Sequence, residues 1–388
     1  MSEKDHPTIK WFNENSEADA SKKSPSPVDL EKLKRLAKEA GADDCGSADI
    51  NSPELEKEKS DILALHPKTE ALISIVISLN CENVRCVSRA VSDLEFIRGM
   101  EQANTIAQKL SLLLRNYGIN SLLPSPAFPM DVSKWPGKMW SVSHKTVAIA
   151  SGMGHMGHNR LLIHPDFGNF IVLGTLLIDR DVTSFDKPLE YNPCIKCGLC
   201  VSACPVGAIA PDGSFSFINC MTHNYRDRLG GFSDWVENIV KSRNVKDYRF
   251  RVKDTETVSM WQSLSYGICN KSSYCMAACP AGKKNIGQYL SDKKEYRKSI
   301  IKPLQENNET IFVIPRSDAL EYVAKKYPHK KIKKGLVGKP DISVIADTKT
   351  WLDFLAKEKN LILALLQRKI KIKGSPTLIK NFAKCFPL

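Results

Sequence analysis

NPCIKCGLCVSACPVGAI, residues 192–209, places four cysteines within eleven positions and follows the last with a proline. Cys194, Cys197 and Cys200 recur at every third residue. One tight loop with that spacing can point three thiolates at three corners of a cube-shaped iron–sulfur cluster. Cys204, directly before Pro205, starts the next turn and faces away, toward a second cluster.

This C-x2-C-x2-C-x3-C-P spacing is that of the bacterial ferredoxin run, in which the fourth cysteine serves the other cluster. A two-cluster protein needs four more cysteines, and the chain offers Cys220, Cys269, Cys275 and Cys279, the last again before a proline. By the same rule Cys279 completes the first [4Fe–4S] cluster with Cys194, Cys197 and Cys200. Cys204, Cys220, Cys269 and Cys275 then hold the second. The second run is split by a charged insertion, expected to be helical, from about residue 221 to 265. The remaining cysteines, Cys45, Cys81, Cys86 and Cys385, are scattered and read as small buried hydrophobes.

The rest of the 388-residue chain limits what those clusters serve. No run of about 18 apolar residues exists, so no membrane span is expected. The first residues have mixed charge and no apolar core, unlike a secretory signal. A cytoplasmic location follows as the expectation, and in that reducing compartment twelve cysteines point to metal ligands rather than disulfides. The formal net charge is +13, and residues 283–334 hold fourteen Lys or Arg against six Asp or Glu. Such an excess attracts RNA, an acidic membrane surface or an acidic electron donor of the reduced ferredoxin or flavodoxin type.

Along the chain, residues 1–27 are polar and end in KKSPSP, which reads as a disordered leader. Residues 28–188 alternate apolar strands and helices, as an α/β layer does. They include ALISIVISL (71–79) as a buried strand and the amphipathic stretch 93–118 as a long helix. Residues 189–300 form the two-cluster, ferredoxin-type domain, 301–336 a basic linker region, and 337–388 a small α/β appendage. Nearly 190 residues precede the cysteines, far more than a module that only shuttles electrons requires. Within them, SGMGHMGHNRLLIHPDFGNF (151–170) concentrates glycines that permit close backbone approach with side chains that can bind a ligand or metal. Gly152, Gly154, His155, Met156, Gly157, His158 and Asn159 are the candidate cofactor-binding residues.

This loop, the strand pair after it and the split cysteine runs resemble the cobalamin-dependent epoxyqueuosine reductase and reductive dehalogenase superfamily, over roughly residues 29–290. The resemblance implies an α/β (α+β), nitroreductase-like corrinoid-binding domain with an inserted two-cluster ferredoxin-like domain. It implies two [4Fe–4S] clusters, with cobalamin as the group that receives their electrons to reduce an epoxide or organohalide. That family's proton-donating Asp precedes the glycine loop, but the corresponding stretch here is GKMWSVSHKTVAIAS, without a carboxylate. Lys138 and His144 are the candidates for that proton. Residues 338–382 resemble the second half of a sterol-carrier-type lipid-binding domain, which implies a hydrophobic small-molecule substrate. The first reading is therefore an iron–sulfur oxidoreductase acting on an organic substrate. Its alternatives are an electron-transfer or corrinoid-reducing partner protein and a tRNA-modifying reductase.

Overall fold

The computed structural model of the chain describes residues 5–15, 26–130, 140–225, 231–266, 273–307, 310–313, 317–330, 332–334, 342–346, 350 and 361–376. Six strands lie in the first half: Asp44–Asp49 (β1), Ala71–Ser78 (β2), Ser121–Leu122 (β3), His155–Met156 (β4), Leu162–Ile163 (β5) and Ile171–Ile178 (β6). Four of them form one sheet in the order β1-β2-β6-β3. Every pairing in it is antiparallel. β4 and β5 make a separate two-stranded hairpin.

The run 71–79 becomes a strand because it is β-branched and buried on both faces. Its side chains alternate: Ile73, Ile75 and Ile77 join one core layer, whereas Leu72 and Val76 face the other. Burying each such side chain contributes about 2 kcal/mol. The first layer is supplied by the helices Leu30–Ala40 and Arg89–Arg115, which follow Pro7–Asn15 in the chain; we label the three α1 (Pro7–Asn15), α2 (Leu30–Ala40) and α3 (Arg89–Arg115). Asp29 caps α2 by accepting from Lys32 N at 2.8 Å, and left-handed Gly41 ends it. α4 (His144–Ala150) packs on the opposite face, with Val147 and Ala150 against Leu72.

The cysteine region follows, with α5 (Leu199–Ala203) and α6 (Phe217–Asn224). The expected helical insertion consists of α7 (Gly231–Lys241), α8 (Val245–Arg251) and α9 (Asp254–Tyr266). The chain returns through α10 (Tyr274–Ala277), α11 (Lys293–Tyr296), a π-type turn at Arg297–Ile301 and α12 (Lys302–Glu306).

Two expected domains differ from what forms. Residues 301–336, expected as a linker, contain the parallel pair β7 (Ile311–Val313) and β8 (Ile332–Lys334) with α13 (Asp318–Lys326) between them. Ile311, Val313, Val323 and Tyr327 pack on Cys200, Cys204 and Val206, so this unit is a wall of the cysteine region. Within the leader, residues 7–15 form α1, which leaves Trp11 and Phe12 exposed. At the C-terminal end, β9 (Ile342–Ala346) and β10 (Ile370–Gly374) pair antiparallel, with α14 (Leu361–Leu366) between them. No helix among the described residues is long and apolar enough to cross a membrane.

Candidate iron–sulfur centre

Cys194, Cys197 and Cys200 lie on the loop that leads into α5 and on its first turn. Two left-handed residues, Lys196 (φ 51°) and Gly198 (φ 74°), fold that loop tightly. Cys279 arrives from the end of α10, and all four cysteines line a single cavity with His158, Ile163 and Ala281. What brings Cys279 there is a close approach of two backbones. A Cβ on Gly168 would stand 2.0 Å from the Ala281 carbonyl oxygen, and one on Gly282 2.2 Å from Gly168 N. Lys283 N donates to Pro165 O at 2.8 Å, Lys284 N to Asp166 O at 3.0 Å, and Asn285 Nδ2 to Phe167 O at 3.1 Å.

Cys204, Cys220 and Cys275 line a second cavity of about 250 Å³ with Phe96, Phe217, Tyr225 and Lys145. The fourth residue expected there, Cys269, lies outside the described residues. Asn159 borders both cavities. Its Nδ2 donates to Cys275 O at 3.4 Å, and its Oδ1 accepts from Leu161 N at 3.2 Å. Backbone amides also reach two sulfurs: His158 N donates to Cys194 Sγ at 3.5 Å and Ala208 N to Cys204 Sγ at 3.3 Å.

The thiols share an electrostatic problem. Burial, reinforced by the neighbouring cysteines, pushes Cys200 and Cys220 up to about 12. Burial pushes Cys279 to about 12 as well and holds Cys275 well above the usual thiol range. Among the described residues no three His, Cys, Asp or Glu side chains sit close enough to hold a single metal ion. The cysteines ring their cavities instead.

The Gly/His loop runs between these two sites. Its glycines approach their own chain closely. A Cβ on Gly152 would stand 2.5 Å from Lys187 O, one on Gly154 2.3 Å from Ile163 O, and one on Gly157 2.7 Å from the Ile163 side chain. His155 Nε2 bonds to Leu189 O at 2.6 Å and His158 Nε2 to Ala210 O at 2.8 Å. Met156 O accepts from Asn192 Nδ2 at 3.1 Å. His155, Met156 and His158 thus brace the segments around the first cysteine run, Gly154 and Gly157 pack on Ile163 of their own hairpin, and Asn159 borders both cavities.

Of the two expected proton donors, Lys138 lies outside the described residues. His144 is engaged at both nitrogens, Nδ1 with Thr175 Oγ1 and Nε2 with Ser125 O, each at 2.8 Å. Burial lowers its pKa, which keeps the ring neutral. The geometry gives His144 the work of tying α4 to β6 and to the loop at Ser125. The residue that does face the second cavity is its neighbour, Lys145, which sequence reasoning missed. Lys145 Nζ donates to Arg160 O at 2.9 Å. Burial lowers its pKa, while Cys220 and Cys275 oppose that shift. One lysine in a helix's first turn carries no distinguishing spacing, so no signal marked it.

With this geometry in hand, the chain was compared with known proteins. The family model described as a 4Fe-4S binding domain matches residues 189–210. An epoxyqueuosine reductase of Lactococcus garvieae (strain Lg2) is 33% identical over 82 residues, which cover 21% of this chain and 23% of that protein. The chain thus matches about a quarter of the length of the curated relatives. Among solved structures, an epoxyqueuosine reductase with an epoxyqueuosine-modified tRNA stem loop is 19% identical, covering 50% of this chain and 56% of its own, with a TM-score of 0.34. A reductive dehalogenase structure is 15% identical, covering 66% and 40%, with a TM-score of 0.42. The chain thus matches a 4Fe-4S binding domain over residues 189–210 and is similar in sequence to the epoxyqueuosine reductases.

Proposed function

We propose that the chain is an iron–sulfur oxidoreductase of the epoxyqueuosine-reductase type. The observation that carries this reading is the meeting of Cys279 with Cys194, Cys197 and Cys200 at one cavity, across about eighty residues of chain. Crowded, buried thiols stay protonated unless a cation takes up the thiolate charge. That donor set fits a [4Fe–4S] cluster, and Cys204, Cys220 and Cys275, joined by Cys269, fit a second. Bound there, the clusters supply single-electron reduction between the protein surface and the second cavity.

The chain's own residues do the rest. His158 N and Ala208 N donate to cysteine sulfurs, which stabilises thiolate charge. Phe96, Phe217 and Tyr225 give the second cavity an apolar lining, and Lys145 brings a positive charge to its wall. At residues 152–159 the glycines do not open a corrinoid pocket. The space that Gly152, Gly154 and Gly157 leave is filled by Lys187 and Ile163 of the chain itself. No step is therefore derived through a corrinoid.

Among the substrates considered, epoxyqueuosine in tRNA is favoured over an organohalide, because the matching sequence relatives are epoxyqueuosine reductases. The test is anaerobic incubation of the cluster-loaded chain, with and without added cobalamin, with an epoxyqueuosine-containing tRNA stem loop and a chemical reductant. Queuosine in the nucleoside digest supports the reading. Iron-loaded protein that forms no queuosine, yet passes electrons to another protein, supports the electron-transfer alternative instead.

A further inference from the structure

The second cavity faces the α/β layer, whereas the first reaches the surface beside an open groove of about 650 Å³. Cys197, Gly198 and Ser202 form one wall of this groove, and α11, the π-type turn and α12 form the other. From that second wall Lys294, Arg297, Lys298 and Lys302 line the groove, all exposed. Two acids stand among them: Glu295 pairs with Lys298 at 3.6 Å and Glu306 with Lys302 at 3.8 Å. All four of these groups are more than half exposed, so each pairing is weak and the groove stays positive.

The walls are held in place. Gln305 Nε2 and Lys326 Nζ both donate to Ser202 O at 2.8 Å, which fastens α12 and α13 to the end of α5. Just across the loop, Ile195 is 48% exposed beside Lys196. Four basic side chains and Cys197 therefore share one groove, with Ile195 exposed on the same cysteine loop.

From this juxtaposition we infer that the groove beside Cys197 is the docking surface for a small acidic electron-carrier protein. The inference rests on the iron–sulfur reading of the four cysteines. The docked carrier, reduced, gives up one electron and is oxidised by one. A [4Fe–4S] cluster held by Cys194, Cys197, Cys200 and Cys279 would take up that electron, with no bond made or broken. A polyanion such as RNA would also be drawn to the positive charge, but it would have no use for a cluster ligand at the groove wall. Weak, charge-steered contacts of small area are typical of electron-transfer encounters.

The experiment uses the anaerobically purified, cluster-loaded chain and a reduced acidic ferredoxin, with bleaching of the visible absorbance as the readout. In a variant with Lys294, Arg297, Lys298 and Lys302 replaced by Glu, the second-order rate at low salt is expected to fall at least about tenfold and to lose its salt dependence. A control of equal net charge, with Lys246, Arg249, Lys371 and Lys373 replaced by Glu, is expected to keep the wild-type rate. An unchanged rate in the groove variant overturns the inference, and so does loss of tRNA stem-loop binding with the ferredoxin rate intact. Should the groove variant lose iron, the neutralised pair Arg297→Gln and Lys302→Gln decides: about threefold slowing supports docking, and no slowing overturns it. Failure of the underlying reading has its own signature, because dithionite would then bleach nothing in the wild-type chain.

Discussion

Replacing Gly168 by alanine tests whether the loop at residues 165–168 is what carries Cys279 to its partners. Gly168 has φ +64°, and an added Cβ would lie 2.0 Å from Ala281 O and 2.9 Å from the carbonyl carbon behind it. Both obstacles are backbone, so no side chain can rotate aside. The two segments must part by about 1 Å before the contact reaches the shortest separation real Cβ atoms adopt. That displacement breaks the bonds from Lys283 N, Lys284 N and Asn285 Nδ2 to Pro165, Asp166 and Phe167. Three lost hydrogen bonds at about 1 kcal/mol each, added to at least about 1 kcal/mol for a left-handed alanine, amount to about 4 kcal/mol. Gly118→Ala is the matched control: its φ is +69° and nothing stands within 4 Å, so it bears only the conformational cost. Thermal unfolding followed by circular dichroism should show Gly168→Ala about 5 °C below wild type and Gly118→Ala about 1 °C below. Ala281 lies two residues after Cys279, so bound iron should fall in Gly168→Ala alone. Equal midpoints and equal iron in the two variants would refute the reasoning.

Other expectations concern single side chains around the second cavity. His144 is held neutral by burial, so the unfolded chain binds a proton that the folded chain does not as pH falls below about 6.5. Wild-type stability is therefore present above that pH and is lost as pH falls toward the lowered folded pKa. His144→Gln should flatten this slope in urea midpoints measured from pH 5 to 8, and an unchanged slope would refute the assignment. Lys145→Met removes a positive charge that faces Cys220 and Cys275. The reduction potential of the cluster in that cavity should shift negative, because the reduced form carries more negative charge. Lys145→Arg should restore the potential, and a redox titration followed by electron paramagnetic resonance separates the outcomes.

The cysteine constellation was legible because its spacing encodes geometry directly. Three thiolates at every third residue belong to one loop, and a cysteine before proline turns away, which is why Cys279 was assigned to the first site and lines that cavity. The Gly/His loop was legible as a place of close approach, but not as to what approaches. A glycine admits its own chain as readily as a ligand, and here Lys187 and Ile163 occupy the space. β2 was found by its apolar run, whereas β1, with no such run, and the sheet's antiparallel order were not, since alternation along one strand says nothing about its neighbour. Residues 301–336 read as a linker because lysines dominate the count. Among their apolar side chains, Ile311, Val313, Ala319, Val323 and Tyr327 pack toward Cys204. Lys145 was illegible for the reason that hid His144's partners: its meaning depends on chain folded in from Cys220 and Cys275.

Iron and inorganic sulfide per chain after anaerobic reconstitution, measured for the wild type and for Cys279→Ala, test the crosswise pairing of the two cysteine runs most directly. The pairing predicts about eight irons in the wild type and about four in the variant, with the signal of the Cys204 site retained. Fewer than about four irons in the wild type, or an undiminished count in Cys279→Ala, would contradict it.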